Sequence, residues 1–164
     1  MPLTPNAPAP EIEIIDFRPE HAVDFARISF GWIKAYFSIE PADLEVLNHP
    51  QAHILDRGGH ILLARLDDTI VGCIALVPAK SEPGWWEISK MGVDERARSR
   101  GIGRLLMLAV LERAREIGAR QLFLETNSRL APALRLYEQA GFVKVPMRPS
   151  PYTRADVRME LVVG

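Results

Sequence analysis

The residues best suited to bind an anion lie in the segment RSRGIGR, which starts at Arg98. Its three arginines can form charge-assisted hydrogen bonds, and Gly101 and Gly103 have no Cβ atom to keep a ligand away from the backbone. Apolar residues at helical spacing follow at once, so the segment predicts the first turn of a helix. The first amides of a helix have no internal partner and lie at the positive end of the helix dipole. The segment therefore predicts a phosphate-binding site.

Other anion-binding motifs fit this segment poorly. A Walker loop requires G-x-x-x-x-G-K-[ST], which the sequence lacks. A dinucleotide-binding fingerprint requires a third glycine, yet position 106 is Leu. Nucleic-acid affinity depends on many phosphate contacts, and Asp94 and Glu95 dilute the basic cluster, so we expect no nucleic-acid partner. A helix start with solvated arginines that bind nothing is the remaining alternative.

The composition is that of an ordinary folded domain. The 164 residues are 48% hydrophobic and 25% charged, with a net charge of -1. The length and composition fit one folded domain and exclude a collagen-like or wholly disordered chain. Because the net charge is close to zero, the protein has no overall electrostatic field that would attract nucleic acid or an anionic membrane. The single cysteine, Cys73, excludes an internal disulfide and favours a reducing compartment, so we expect a cytoplasmic location. The histidines lack metal-binding spacing, and we expect no metal.

The chain divides into a short tail and one domain. Residues 1–10 contain four prolines and no apolar run, which predicts a flexible tail rather than a secretory signal. Residues 11–164 predict a single domain. Its longest uncharged apolar stretch, residues 70–79, is too short to span a bilayer and predicts a buried strand, so we expect no membrane partner.

Hydrophobic periodicity predicts the elements that must position the anion site. Strands are predicted at residues 11–17, 60–66, 69–78, 85–93, 121–125 and 157–163, and helices at 19–37, 42–48, 101–117 and 131–140. Strands come first as a meander and then alternate with helices. This order predicts an α/β or α+β domain with a mixed sheet and helices on both faces.

Two motifs together resemble the GNAT superfamily of N-acetyltransferases. Arg98-x-x-Gly101-x-Gly103 is similar to the R/Q-x-x-G-x-G/A acetyl-coenzyme A signature of that family. Asn127, followed by ALRLYEQAGF from Ala133, is similar to its second motif, N-x(5)-A-x-x-[FL]-Y-x-x-x-G-F. The resemblance implies a central mixed, mostly antiparallel sheet and the transfer of an acetyl group from acetyl-CoA to an amine.

The resemblance also implies roles for individual residues. Glu87 lies eleven residues before Arg98, where histone-type members carry their base, and Tyr137 matches the usual proton donor to the leaving thiolate. The alternatives are a structural glutamate and a core tyrosine. Asn127 either caps a helix or bonds the pantetheine arm. The expected cofactor-binding residues are Met91, Gly92, Val93, Arg98, Ser99, Arg100, Gly101, Ile102, Gly103, Arg104, Asn127, Ala133 and Tyr137, with the amides near Met91 to Val93 bonding the thioester carbonyl.

The sequence says less about the amine that would accept the acetyl group. Trp32, Tyr36 and Phe37 are candidate walls of a substrate pocket, although such aromatic residues are commonly core. Arg154 is a candidate partner for a substrate carboxylate, with a solvated surface arginine as the alternative. We expect direct attack by a small-molecule amine in a ternary complex, because Cys73 reads as a buried hydrophobe rather than a nucleophile. The alternatives are a CoA-binding sensor without catalysis and a protein N-terminal or lysine acetyltransferase. The resemblance also suggests a homodimer, because the last strands of two chains pair in many members of the family.

Overall fold

The computed structural model describes residues 11–164, and the predicted tail at residues 1–10 lies outside the described residues. Within the described range the strands are β1 (Ile12–Asp16), β2 (His60–Leu66), β3 (Thr69–Pro78), β4 (Trp85–Val93), β5 (Gln121–Thr126), β6 (Val143–Val145) and β7 (Val157–Val162). The helices are α1 (Ala22–Tyr36), α2 (Pro41–Asn48), α3 (Pro50–His53), α4 (Ile102–Ile117) and α5 (Ala131–Gln139).

All of these strands form one sheet in the order β1-β2-β3-β4-β5-β7-β6. Only β4 and β5 run parallel; the other neighbours in this described sheet are antiparallel. The predicted mixed, mostly antiparallel sheet is therefore confirmed. β4 and β5 pair only where Trp85 to Glu87 face Gln121 to Phe123. Beyond these pairs the two strands separate and leave a cleft in the sheet.

The helices cover both faces of the sheet, as the element order predicts. Alternate residues of β2 show this: Ile61 and Leu63 pack in a core with α1, whereas Leu62 and Ala64 pack in a core with α4 and α5. This alternation follows from the two-residue period of a strand. The first helices, α1 to α3, therefore lie against one face of the sheet, and α4 and α5 lie against the other face.

The close approach of α4 to the sheet depends on a glycine in β3. A Cβ atom added at Gly72 would lie 3.0 Å from side-chain atoms of both Ile102 and Leu106. The first turn of α4 is thus packed against β3 and held in a fixed place beside the end of β4. Within residues 11–164, no helix has the length and apolar character needed to cross a membrane.

Candidate active site

The first amides of α4 form no hydrogen bond within residues 11–164, as expected for the start of a helix. Gly101 immediately precedes the helix with φ of 74°, in the left-handed region that glycine adopts readily. The first helical hydrogen bond is the one that Leu105 donates to the Gly101 carbonyl at 3.1 Å. The amides of Ile102, Gly103 and Arg104 come before it and are available to a ligand. This end of α4 can therefore bind an anion with its backbone.

The arginines around this turn add positive charge that no carboxylate neutralises. Arg100 and Arg104 are exposed, and Arg98 donates a hydrogen bond from Nη1 to the Tyr36 hydroxyl at 3.3 Å. In the described part of the chain none of the three forms a salt bridge. A Cβ atom at Gly103 would lie in ordinary van der Waals contact with Leu136 of α5, at 3.5 Å. The free amides and the arginine charges are the donors that suit a diphosphate.

A cavity of about 820 Å³ of empty space, part of it open to solvent, lies in the cleft between β4 and β5. It brings together several residues that the sequence singled out. Those that line it are Trp32, Phe37, Glu87, Met91, Asn127, Tyr137 and Arg154. Tyr36, Gly92, Val93 and Ala133 do not line it, and neither does the turn from Arg98 to Arg104. The roles of all these residues stay predictions.

A β-bulge in β4 turns its backbone at the cleft. Ala75 of β3 pairs with Ser89 and Cys73 pairs with Gly92, so Lys90 and Met91 together face one residue of β3. Lys90 has φ of 51°, which an L-residue adopts only when its surroundings impose it. Such a bulge removes residues from the regular ladder of hydrogen bonds. Met91 therefore lies in the cavity at a point where the backbone is not held in regular pairing.

Glu87 lies in the cleft and has a carboxyl whose pKa is near neutrality. The pKa of its carboxyl is raised to about 7, mainly by burial and also by Glu125 on β5, while the charges of Lys90, Arg158 and Arg57 act to lower it. A carboxyl with this pKa exchanges protons at neutral pH. Glu125 could not be found from the sequence, because only the register of β4 against β5 brings the two carboxyls together.

Tyr137 reaches the cavity from helix α5. It lies on α5, is 9% exposed and packs edge-on against Phe142 with ring centroids 6.4 Å apart. Burial raises the pKa of its hydroxyl to about 12. The phenol is therefore protonated at neutral pH and can donate a proton. Tyr137 is at once a core residue and a cavity residue, so the two alternatives drawn from the sequence do not exclude each other.

Asn127 is held by the chain itself. Its Nδ2 donates to the Arg154 carbonyl at 2.8 Å, and its Oδ1 accepts from the Arg129 amide at 2.9 Å. The side chain thus organises the turn before α5 instead of capping the helix, whose N-cap residue is Leu130. A bond from Asn127 to the pantetheine arm stays a prediction.

Arg154 belongs to a buried ion cluster that the sequence analysis missed. Its Nη1 and Nη2 each lie 2.7 Å from a carboxylate oxygen of Asp43, which is fully buried. Asp43 also bonds Lys90 Nζ at 2.9 Å, and Glu40 bonds Arg154 at 3.2 Å. These contacts tie α2 to the bulge of β4 and to the segment before β7. The Arg154 guanidinium is occupied by carboxylates of this chain, which leaves it poorly placed for the predicted substrate carboxylate.

Cys73 has the surroundings of a core residue. Its side chain is fully buried, its Sγ lies 3.2 Å from the Lys90 carbonyl, and burial raises the pKa of the thiol to about 11. A thiol with this pKa is protonated at neutral pH and is a poor nucleophile. The surroundings of Cys73 thus support direct transfer without an acyl-enzyme.

The family model "Acetyltransferase (GNAT) family" matches residues 24–142 of this chain, a range that contains β4, β5 and the α4 turn. The chain belongs to the GNAT acetyltransferase family. Two curated relatives are similar to it: an IAA acetyltransferase of Azospirillum brasilense, 35% identical over 100 residues, and a mycothiol acetyltransferase of Sanguibacter keddieii, 36% identical over 104. The matches span 61% and 58% of this chain but only 60% and 33% of the relatives.

Solved structures of GNAT proteins share the fold of this member of the GNAT family. A GNAT-family acetyltransferase from Staphylococcus aureus superposes with a TM-score of 0.83 at 21% identity, covering 93% of this chain and 99% of that protein. The yncA protein of Salmonella typhimurium, solved with acetyl-CoA, superposes with a TM-score of 0.73 at 17% identity, covering 93% and 94%. At these identities the likeness concerns the fold.

Proposed function

We propose that this GNAT enzyme transfers the acetyl group of acetyl-CoA to the primary amine of a small molecule by direct attack in a ternary complex. One observation carries the proposal: a carboxyl with a pKa of about 7, that of Glu87, lies in the same cleft as the protonated phenol of Tyr137. A base and an acid are thus available on either side of one reacting centre.

The need for the base follows from the amine. An alkyl ammonium with a pKa of about 10.4 is neutral in only about one molecule in 2,500 at pH 7. Glu87, whose pKa is about 7, accepts the proton that the nitrogen loses, directly or through water. Its location in the cleft makes that transfer local.

The transfer itself forms one bond and breaks one. Acetyl-CoA supplies an acetyl carbon bound to sulfur; the amine nitrogen bonds to that carbon, and the carbon–sulfur bond breaks with its electron pair leaving on sulfur. Glu87 takes one proton from the ammonium and passes it to water, and it then takes the second proton that the nitrogen loses as the new bond forms. Tyr137 gives its proton to the thiolate and is reprotonated from solvent, so one proton is released for each acetyl group transferred. The backbone amide at Met91 in the bulge is the proposed donor to the carbonyl oxygen, whose negative charge develops in the transition state.

The proposed co-substrate is supported by the α4 turn. The free amides of Ile102, Gly103 and Arg104 and the unpaired charges of Arg98 and Arg100 suit the diphosphate of CoA. The acetyl-CoA bound by the Salmonella yncA protein supports the same choice for a chain of this fold.

The test measures release of CoA thiol from acetyl-CoA over a panel of primary amines. We expect turnover that depends on the amine and falls in both Glu87→Gln and Tyr137→Phe, while Arg115→Gln, a change on the exposed side of α4, leaves it unaltered. A protein that binds acetyl-CoA but acetylates no amine would be a sensor and would contradict the proposal. Turnover with a lysine-containing or N-terminal peptide alone would contradict the small-molecule acceptor.

A further inference from the structure

A second cavity adjoins the first and shares Glu87 with it. It encloses about 1170 Å³ of empty space, part of it open to solvent. Five residues line both cavities, namely Glu87, Ser89, Lys90, Glu125 and Tyr152. The second cavity extends away from them toward α2, the turn after α3 and the end of β3. An acceptor lying in it would reach the cleft at Glu87.

Most charged groups that line this second cavity are paired within the chain. Glu82 bonds Arg158, and Glu45 lies 3.4 Å from His53. Lys90 bonds the buried Asp43. The charges of Glu82, Arg158 and Lys90 therefore need no ligand to balance them, whereas Glu45 is balanced only when His53 is protonated.

Four charged lining residues form no salt bridge in the described part of the chain, and they divide by sign. The carboxylates are Glu87 and Glu125, and the cations are Arg57 and Lys80. The carboxylates belong to the part shared with the first cavity; Arg57 and Lys80 belong to the second cavity alone. The cavity thus separates negative charge near the reacting centre from positive charge further out.

Arg57 is fixed in place by the turn that carries it. The turn Leu55–Arg57 ends at Gly58, which has φ of 86°. At the next residue, Gly59, an added Cβ atom would lie 2.7 Å from the Ile54 carbonyl oxygen, so the turn is packed tightly against its neighbours. Because both positions need glycine, the backbone around Arg57 has little freedom.

The Arg57 side chain is held as well, yet it keeps donors for a ligand. Its Nη2 donates to the Pro78 carbonyl at 2.7 Å and its Nη1 to the His53 carbonyl at 3.5 Å. A guanidinium carries five N–H groups, so others remain. Both Arg57 and Glu87 line this cavity, and the Arg57 charge is the smallest of the named effects that lower the pKa of Glu87.

We infer that the second cavity binds an acceptor that carries both an amine and a carboxylate, with the carboxylate at Arg57 and the amine at Glu87 and Glu125. The identity of the reacting amine rests on the proposed acetyl transfer. A guanidinium binds a carboxylate by charge-assisted and often paired hydrogen bonds, and Lys80 adds positive charge near it. An ammonium group entering between Glu87 and Glu125 lies beside the base that takes its proton. Apolar side chains complete the wall, including Val46, Ile54, Val77 and Phe123.

This arrangement reassigns the role that the sequence suggested for Arg154. Both arginines line cavities at the site, but only Arg154 is bound by carboxylates of the chain. Among residues 11–164, Arg57 is bound by backbone carbonyls alone, which leave its positive charge without a counter-ion in that range. A substrate carboxylate is the group that would balance it.

The test compares amino acids with their carboxamides, which keep the amine and lose the negative charge. The probes are glycine, β-alanine, 4-aminobutyrate and L-phenylalanine, each beside its amide, assayed by thiol release from acetyl-CoA. We expect at least one acid to be preferred over its amide, and Arg57→Gln to raise its KM by about ten- to hundredfold, the range for hydrogen bonds to charged groups. The amide's KM and the KM for acetyl-CoA should not change, and Arg115→Gln should behave as wild type.

Equal use of acids and amides by the wild type would overturn the inference, as would an equal loss for both in Arg57→Gln. Arg57→Lys is the second variant, because it keeps the positive charge and so separates the loss of charge from a disturbance of the turn. A remaining preference for the acid in this variant supports the inference, and no preference overturns it.

Calorimetric titration of the same probes into the CoA-bound protein separates this inference from the proposed reaction. Binding of an acid that needs Arg57, without acetylation of any amine, would refute the proposed reaction and support the cavity's ligand class. Acetylation of amines with no difference between acid and amide would leave the reaction standing and overturn the inference.

Discussion

Glu87 is the residue on which the proposed chemistry depends most. Burial and Glu125 raise the pKa of its carboxyl to about 7, against the lowering effect of Lys90, Arg158 and Arg57. The carboxyl would accept a proton only when ionised, so activity requires a pH above this value. At saturating substrates, kcat of the wild type should therefore fall as the pH drops below about 7.

Removal of the neighbouring charge at Glu125 should shift the pH at which kcat falls, that is, the acidic limb of the pH profile of kcat. In Glu125→Gln the carboxylate of Glu87 loses a like charge, so its pKa falls and kcat should persist to lower pH. In Glu87→Gln the limb should disappear and kcat should fall by about a hundredfold or more. A pH profile of kcat for the three proteins checks this; an unmoved limb in Glu125→Gln would show that another group controls it.

Tyr137 should act at the opposite side of the reaction. Tyr137→Phe removes the proposed proton donor and should lower kcat by about a hundredfold. The dissociation constant of acetyl-CoA should stay the same, because the ring and its packing remain. Calorimetry and steady-state kinetics on one preparation separate the two effects, and a normal kcat would mean that water or another group protonates the thiolate.

The residues predicted from the sequence are those whose neighbours in the chain define them. Glu87 precedes the arginine turn by a fixed spacing, and Tyr137 lies within a continuous motif. Arg57 and Asp43 could not be found in this way. Asp43 pairs with Lys90 across 47 positions and with Arg154 across 111, so only the folded chain brings these charges together.

At the scale of elements, the start of α4 and its end provide a matched pair of glycines. Gly101 and Gly118 both have positive φ, 74° and 76°, and a Cβ atom at either would meet nothing within 4 Å. Replacement of either by Ala should destabilise the fold by about 1–2 kcal/mol through backbone strain. Only Gly101→Ala should also weaken acetyl-CoA binding, because it alone borders the proposed diphosphate site.

Urea unfolding measures the shared strain, and calorimetry measures the affinity of each variant for acetyl-CoA. We expect about a tenfold loss for Gly101→Ala, comparable to one hydrogen bond to a charged group. Equal affinities for the two variants would place the diphosphate away from α4.

The ion cluster that joins α2 to β4 should contribute to the free energy of unfolding. Asp43→Ala would leave Lys90 and Arg154 buried without their main counter-ion and should cost about 3–5 kcal/mol. Asp24→Ala, in an exposed pair with Arg27, should cost about 0–1 kcal/mol. Urea unfolding at pH 7 compares them, and similar small losses would show that solvent reaches the cluster.

The pH dependence of this contribution has a definite direction. The Arg154 and Lys90 charges lower the pKa of Asp43 from 3.8 to about 2, against the raising effect of burial. Its stabilisation is therefore complete above the usual pKa and disappears as the pH falls toward about 2.

Elements with a clear period are predicted well, and short ones are not. The limits of β2, β3 and β4 agree with those expected from apolar runs and turn residues. α3 has four residues and β6 has three, too few for a period to show. Both are fixed by neighbours: α3 by contacts with the turn at Leu55 and β6 by pairing with β7.

For the whole molecule, binding of acetyl-CoA should raise thermal stability. A ligand at about 100 times its dissociation constant stabilises the native state by about 2.7 kcal/mol, which is several degrees for a chain of this length. S-acetylpantetheine lacks the diphosphate and should give a much smaller shift at the same concentration. Equal increases in melting temperature with both compounds would show that the α4 turn does not bind the diphosphate. The single domain at residues 11–164, the cytoplasmic location and the homodimer stay predictions.

The most direct test of the account is a crystal structure of the protein with acetyl-CoA. We expect diphosphate oxygens at about 3 Å from the amide nitrogens of Ile102, Gly103 and Arg104, and the thioester between β4 and β5 beside Glu87 and Tyr137. Acetyl-CoA bound with its diphosphate away from these amides, or with its thioester outside the cleft, would contradict the account.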